Sequence, residues 1–461
     1  MPPAPAGNTN PAMHAILARH AARLTPRYTS YPTAPHFQAD FPEATYRAWL
    51  AATDPAAPVS LYLHVPYCAR MCWYCGCNMK LAARYEPVAA YVETLLREID
   101  LVAEALPGRL AAGHLHWGGG TPTALAPGDL ARVMHRLEER FAVPADAERA
   151  IESDPRTLSD AMIETIGRLG FTRASFGVQE FDPAVQAAIN RIQPPEMVAR
   201  AVGGLRAAGV AGINFDLIYG LPHQTTRMLE ETIRISAELG ADRVALFGYA
   251  HVPWVAPNQR MIPADALPGP EARAEQAAAA AEALERAGYV AIGIDHYARP
   301  HDPLAEAART GRLRRNFQGY TTDTAETLIG LGVTAIGRTP AGYVQNIAET
   351  GAWGRAVAAG HLPVARGRAL AGDDRLRAHV IERLMCDGRV DCAAAARRFG
   401  AAEDWATEPL SALAPLAAEG AIAIHGGHVA LAPWARPLAR VAAAAFDRYL
   451  GSGGGRHAAS V

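Results

Sequence analysis

The chain has 461 residues, 50% hydrophobic and 20% charged, enough to bury a large core and to form two or three domains. Its 44 basic and 46 acidic residues leave a formal charge of −2, which excludes a general attraction to nucleic acid or an anionic membrane, so an anionic ligand must be met by local arginines. No apolar run is long enough to cross a bilayer, and the first residues lack the apolar stretch of a secretory signal, so a cytoplasmic location is expected.

Near the N-terminus, "MHAILARHAARL" is basic and free of acids, the pattern of a short surface helix and also of an organelle transit segment. "TPRYTSYPTAPHF" is too dense in proline for a regular element, and residues 1–55 read as an extended lead-in. From residue 60 short β-branched or aromatic runs alternate with stretches of helical period: "SLYLHVP", "HLHWGG", "RAIESDP", "RASFGVQ", "GINFDLIYG" and "RVALFGYA" are separated by segments such as "YEPVAAYVETLLREIDLVAEAL" and "PEMVARAVGGLRAAG". Six β/α units predict an α/β fold with a parallel sheet, either a barrel or a doubly wound sheet, spanning 56–350 with its elaborations. From about residue 370 the pattern is helical, giving a C-terminal domain over 365–447, and residues 448–461, ending "GSGGGRHAASV", read as a disordered tail.

Polar, glycine-rich or ionisable residues follow the strand cores: Gly118 to Thr121, Glu152, Gln179, Asp216, and Ala250 with His251. In a parallel barrel such strand ends share one rim, where chemistry gathers. Asp216 lies inside an apolar run, so its carboxylate requires a partner or a ligand. Gly118, Gly119 and Gly120 either make a plain turn or clear side chains where a backbone approaches a ligand.

The first strand runs into "HVPYCARMCWYCGCNMK", with Cys68, Cys72, Cys75 and Cys77 in ten positions. In a reducing compartment such a cluster reads as metal-binding or redox chemistry, whereas Cys386 and Cys392, in "IERLMCDGRVDCAAAARRFG", read as buried inert thiols. CxxxCxxC presents three thiolates to one compact group. A [4Fe–4S] cluster with one open iron, a cramped zinc site that includes Cys77, and a Cys72/Cys75 dithiol are the three candidates.

Placed after the first strand of a β/α barrel, this loop resembles that of the radical S-adenosylmethionine enzymes. Nine blocks in order ("RYTSYPTAPHF", "HVPYCARMCWYCGCN", "HWGGGTPT", "IESDP", "SFGVQEF", "NRIQ", "NFDLIYGLPHQT", "FGYAHVP" and "RRNFQGYTT") narrow the resemblance to the oxygen-independent coproporphyrinogen III oxidases. A related haem-chaperone group shares the barrel but lacks the fourth cysteine of "CGC" and the "YTSYPT" lead-in, both present here. The resemblance implies a partial (β/α)6 barrel with an N-terminal lead-in and a C-terminal helical domain. It implies that Cys68, Cys72 and Cys75 bind a [4Fe–4S] cluster, and that two molecules of S-adenosylmethionine lie against Tyr62, Tyr74, Gly119, Gly120, Thr121, Glu152, Gln179, Arg191, Asp216, Ala250 and Ile336. Cys77 and Tyr62 are its implied catalytic residues. A 5′-deoxyadenosyl radical then oxidatively decarboxylates two propionates of coproporphyrinogen III to vinyl groups, giving protoporphyrinogen IX. The resemblance further implies an electron donor such as a flavodoxin or ferredoxin and a monomeric chain. Arg27, Arg191, Arg314 and Arg315 lie in the shared blocks and suit carboxylates. Arg338 and Pro340 depart from the family pattern, which puts the carry-over around Ile336 in doubt.

Overall fold

The computed structural model describes residues 11–21, 23 and 25–451. All six apolar runs form strands: β1 (Val59–Val65), β2 (Ala112–Gly119), β3 (Glu148–Ser153), β4 (Arg173–Gln179), β5 (Gly212–Tyr219) and β6 (Arg243–Gly248). Each pairs in parallel with the next. Helices between them, among them Glu86–Ala105, Pro127–Arg140, Pro195–Ala207 and Thr226–Glu238, return the chain to the same end. Side chains alternate along a strand. Leu61, Leu63, Trp117, Ile151, Phe176, Phe215 and Val244 therefore pack into one core with the helices, and Tyr62, His116, Glu152, Asp216 and Phe247 occupy the opposite, interior face.

The ring stays open, as a partial barrel must. β7 (Val290–Ile292) and β8 (His296–Ala298) form a hairpin that pairs antiparallel with β6. On the other side β9 (Thr327–Leu331) adds a seventh parallel strand beside β1, followed by antiparallel β10 (Ile336–Thr339), β11 (Gly342–Asn346) and β12 (Val364–Ala369). The interior is crossed at the end opposite the cysteine loop by buried charge: Arg243 Nε donates to Asp302 Oδ1 at 2.8 Å, Arg173 lies 3.5 Å from Asp302 Oδ2, and Ser60 Oγ donates to Asp323 at 2.5 Å.

The C-terminal region is helical, with one addition. Strands at 389–391, 422–425 and 428–431 form a small antiparallel sheet, each too short to interrupt the helical reading of the sequence. Leu376, Val380, Leu384, Leu416, Val429 and Phe446 form its core, and Cys386 and Cys392 are buried, as expected of inert thiols. The lead-in departs from the extended reading of 1–55. Pro11–Ala21 is helical, and Glu43–Ala51 forms a second helix once the prolines end. Between them Tyr28 and Tyr31 enter the C-terminal core, Phe37 stacks on Tyr343 at 5.6 Å, and Gln38–Ala39 pairs with β12. Arg448 and Tyr449, expected in the tail, are held by Asp373 and Asp374; residues 452–461 lie outside the described residues.

Candidate active site

The cysteine loop leaves β1 through a two-residue strand, Tyr67–Cys68, that pairs with Lys80–Leu81 and closes the loop on itself. Its shape is set from outside. Asn258 Nδ2 donates to the carbonyls of Cys72, Trp73 and Cys75 at 3.2, 3.1 and 2.8 Å, Gln259 Nε2 donates to that of Tyr74 at 2.8 Å, and Asn190 Nδ2 to that of Met71 at 2.8 Å. The loop carbonyls are thus occupied and the thiols are not needed to hold the turn.

Each thiol has a distinct setting. Cys68 Sγ lies 3.5 Å from Thr121 Oγ1, and burial pushes its thiol up to about 11. Cys72 is buried, and its sulfur accepts from Arg156 Nη2 and Arg191 Nη1, each at 3.3 Å. Both guanidiniums also hold Asp154, Arg156 at 2.6 Å and Arg191 at 3.4 Å. Hydrogen bonding from Cys77 brings Cys75 down to about 7, despite burial, while the same contact raises Cys77, and the Cys77 amide donates to Cys75 Sγ at 3.4 Å. Among the described residues no three Cys, His, Asp or Glu side chains close on a single metal ion.

Beside the loop, the strand ends converge as the rim argument expects. Tyr62 Oη lies 3.1 Å from His64 Nδ1 and its ring stacks on His116 at 5.9 Å. Glu152 accepts from the Gly119 amide at 3.2 Å and lies 3.3 Å from His116 Nε2. The glycine run is a close approach as well as a turn. A Cβ on Gly118 would come within 2.8 Å of Glu152 Oε1, one on Gly120 within 2.8 Å of the Tyr67 carbonyl, and Gly119 has φ +117°. Asp216, on the interior face of β5, makes no hydrogen bond or ion pair among the described residues, and burial, followed by the charge of Glu152, pushes its carboxyl up to about 7. Gln179 sits at φ +69° on a bulge of β4, and its buried Oε1 has no partner. Arg191 Nε donates to the Gly177 carbonyl at 2.8 Å, placing it between this bulge and Cys72.

Ala250 continues the rim after β6, where the Tyr249 amide bonds to the Tyr219 carbonyl at 2.8 Å. Ile336 reaches Tyr62 indirectly: a Cβ on Gly330, the register partner of Tyr62, would lie 2.8 Å from the Ile336 carbonyl carbon. The four arginines expected to meet carboxylates divide. Arg191 is engaged with Asp154 and Cys72, Arg314 donates to Glu382 at 2.9 Å, and Arg315 is buried over the Tyr320 ring. Exposed Arg27 lies 5.7 Å over Phe247, on the interior face of β6. Sequence reasoning passed over Asn258, Gln259, Arg156, His64 and His116. The two amides act on backbone carbonyls, which leave no spacing signature, whereas Arg156 directly follows the "IESDP" block and His116 opens "HWGGGTPT".

Residues 62–235 match the radical SAM superfamily. The oxygen-independent coproporphyrinogen III oxidase of Bradyrhizobium diazoefficiens is 50% identical over 436 residues, 95% of this chain and 97% of that one. The enzyme of that name from Escherichia coli is 39% identical, covering 92% and 93%. The solved structure of the Escherichia coli coproporphyrinogen III oxidase, described as a radical SAM enzyme, superposes with a TM-score of 0.88 at 38% identity over 92% of this chain and 97% of that one. These relatives favour the enzyme group over the haem chaperones. Similar in sequence and fold along nearly its whole length, the chain belongs to the oxygen-independent coproporphyrinogen III oxidases of the radical SAM superfamily.

Proposed function

We propose that the chain converts coproporphyrinogen III to protoporphyrinogen IX without oxygen, turning two propionates into vinyl groups with release of carbon dioxide. The observation that carries this reading is the meeting, at one barrel rim, of a preshaped three-thiol loop with the glycine run under Glu152 and the unpartnered Asp216. In this reading Cys68, Cys72 and Cys75 hold a [4Fe–4S] cluster, and the N–H donors on Cys72 are of the kind that tune such sulfurs. When bound, the cluster and S-adenosylmethionine supply an electron and a carbon-centred radical able to take hydrogen from a propionate β-carbon.

The residues present fit that group. Gly118 to Thr121 let the backbone approach a ligand, Glu152 accepts from an amine or ribose, and Tyr62 and Ile336 line the same side. Gln179 and Asp216, on neighbouring strands, form a second polar grouping with Arg191 and Tyr74 from the adjoining loops, and the second molecule of S-adenosylmethionine that the resemblance implies is assigned there. Ala250, which follows β6 beside the strand of Asp216, belongs to the second grouping. Cys77, the thiol not needed as a ligand, stands beside the reacting centre with Tyr62, and Arg27 meets a propionate at the mouth. The barrel positions the reactants and excludes water. The chain acts in the cytoplasm as a monomer, fed by a flavodoxin- or ferredoxin-type donor.

The test is an anaerobic assay of reconstituted protein with coproporphyrinogen III, S-adenosylmethionine and a reductant. Protoporphyrinogen IX, formed only when all three are present, is the expected result. Tetrapyrrole binding without decarboxylation overturns the reading.

A further inference from the structure

Apart from the barrel interior, the molecule has a cavity of about 540 Å³ between the lead-in, β10 and the helix Asp374–Asp387. Its lining carries seven arginines against two glutamates. In a chain of formal charge −2 such a concentration is local and strong. Part of it is internally compensated: Arg314 is paired with Glu382, and Arg383 with Asp387 at 2.7 Å. Arg338, Arg375 and Arg398 are not, since none has an acidic partner among the described residues. Arg338 donates to the Ala325 and Glu326 carbonyls at 2.6 and 3.1 Å, Arg375 to the Pro340 carbonyl at 2.7 Å, and Arg398 lies 5.5 Å over the Phe399 ring. Their positions are braced while their charge remains available. Arg338 and Pro340, the two departures from the family blocks, both belong to this wall.

The rest of the lining suits a flat body. Half-exposed Phe399 offers an open ring, and the almost wholly buried Tyr28, Tyr31 and Tyr343 form the aromatic floor behind it. The volume lies within the roughly 300–1,000 Å³ of sites that take a drug-sized molecule, far beyond what a single small anion fills. Uncompensated guanidiniums on separate elements call for several anionic groups carried by one ligand. We infer that this cavity is a second binding site, separate from the barrel interior, for a tetrapyrrole bearing several carboxylates. The choice of tetrapyrrole rests on the proposed function, which makes such a molecule both substrate and product. The lead-in joins the two sites: Thr29 to Tyr31 line the cavity, and Arg27, two residues earlier, lies over Phe247 at the barrel mouth.

The experiment is equilibrium binding of coproporphyrin III, the oxidised macrocycle with the same four carboxylates, to the anaerobically purified full chain, followed by porphyrin fluorescence. Two macrocycles per chain are expected, reduced to one in Arg375→Glu/Arg398→Glu, whose remaining site keeps its affinity. Ala378→Phe, which occupies the cavity without changing charge, is expected to weaken the same site about tenfold or more. One macrocycle per chain in the parent, or two of unchanged affinity in both variants, overturns the inference. Displacement of the second macrocycle by an equal concentration of inorganic pyrophosphate also overturns it, because the site is then one for small anions. Binding is read without turnover, so failure of the decarboxylation assay and failure of this inference are separate results.

Discussion

Asp216 is a carboxyl at an interior position with no hydrogen bond or ion pair of its own, and its raised value of about 7 has a definite thermodynamic sign. The folded chain keeps a proton there that the unfolded chain, with an aspartate near 3.9, has already lost. The protonated form's contribution to stability is complete below about pH 4 and is lost as pH rises through about 7. Asp216→Asn is therefore expected to be more stable than the parent at pH 8 by on the order of 2 kcal/mol and no more stable at pH 4, as read from urea unfolding of the cluster-free chain. The same variant is expected to bind S-adenosylmethionine about 10- to 100-fold more weakly with its cluster intact, because a charge-assisted hydrogen bond is removed. Measuring 5′-deoxyadenosine against S-adenosylmethionine concentration checks this. At the cysteines the expected split is three to one: Cys68→Ser, Cys72→Ser and Cys75→Ser lose iron, whereas Cys77→Ser retains it and loses turnover. Iron content of anaerobically purified protein decides the first part and the decarboxylation assay the second.

The elements explain what the sequence makes legible. β1 to β6 stand out because each is a short apolar run set between helical stretches and followed by a functional residue. β9 is equally apolar, "TLIGL", but it follows a long irregular elaboration and its partner β1 lies more than 260 residues earlier, so no local rhythm marks it. The small C-terminal strands are three or four residues each in alanine-rich surroundings, below the length at which alternation can be read. Rim residues are legible because parallel strands end together. The clamp by Asn258 and Gln259 is not, because amide-to-carbonyl bonds leave the chemistry to the backbone. The charged end of the barrel is equally silent in sequence, and Asp302, 4% exposed between Arg173 and Arg243, is its pivot. Asp302→Ala removes the ion-pair partner of buried Arg243 and leaves Arg173 with Glu148 alone, at 3.6 Å, and is expected to cost about 3–5 kcal/mol. A denaturant midpoint well below the parent's is the corresponding observation.

At the scale of the molecule, the lead-in is a strap that is anchored in the C-terminal core and reaches to the barrel mouth. Tyr28 and Tyr31 are buried with the C-terminal helices, Arg366 donates to the Ala34 carbonyl at 2.7 Å, and Arg27 lies at the barrel mouth. The barrel's own core contains none of these residues. Deletion of residues 1–35 is accordingly expected to spare iron binding, loosen the C-terminal region and largely abolish decarboxylation. Tyr31→Ala separates the contributions: it is expected to cost about 3 kcal/mol of stability, with cluster content unchanged. Full activity in the truncated chain would show that the strap is dispensable.

The clamp on the cysteine loop also sets an order of events during synthesis. Asn258 follows Cys75 by 183 positions, so at roughly 5–20 residues per second the thiols are outside the ribosome for about 10–40 s before the side chain that shapes their loop exists. During that interval the four cysteines are an unstructured, oxidisable segment, and iron delivered early meets a flexible chelator instead of a formed site. Cluster assembly is therefore expected after translation of the barrel, and an oxidant present in those seconds is expected to damage the enzyme before it has folded.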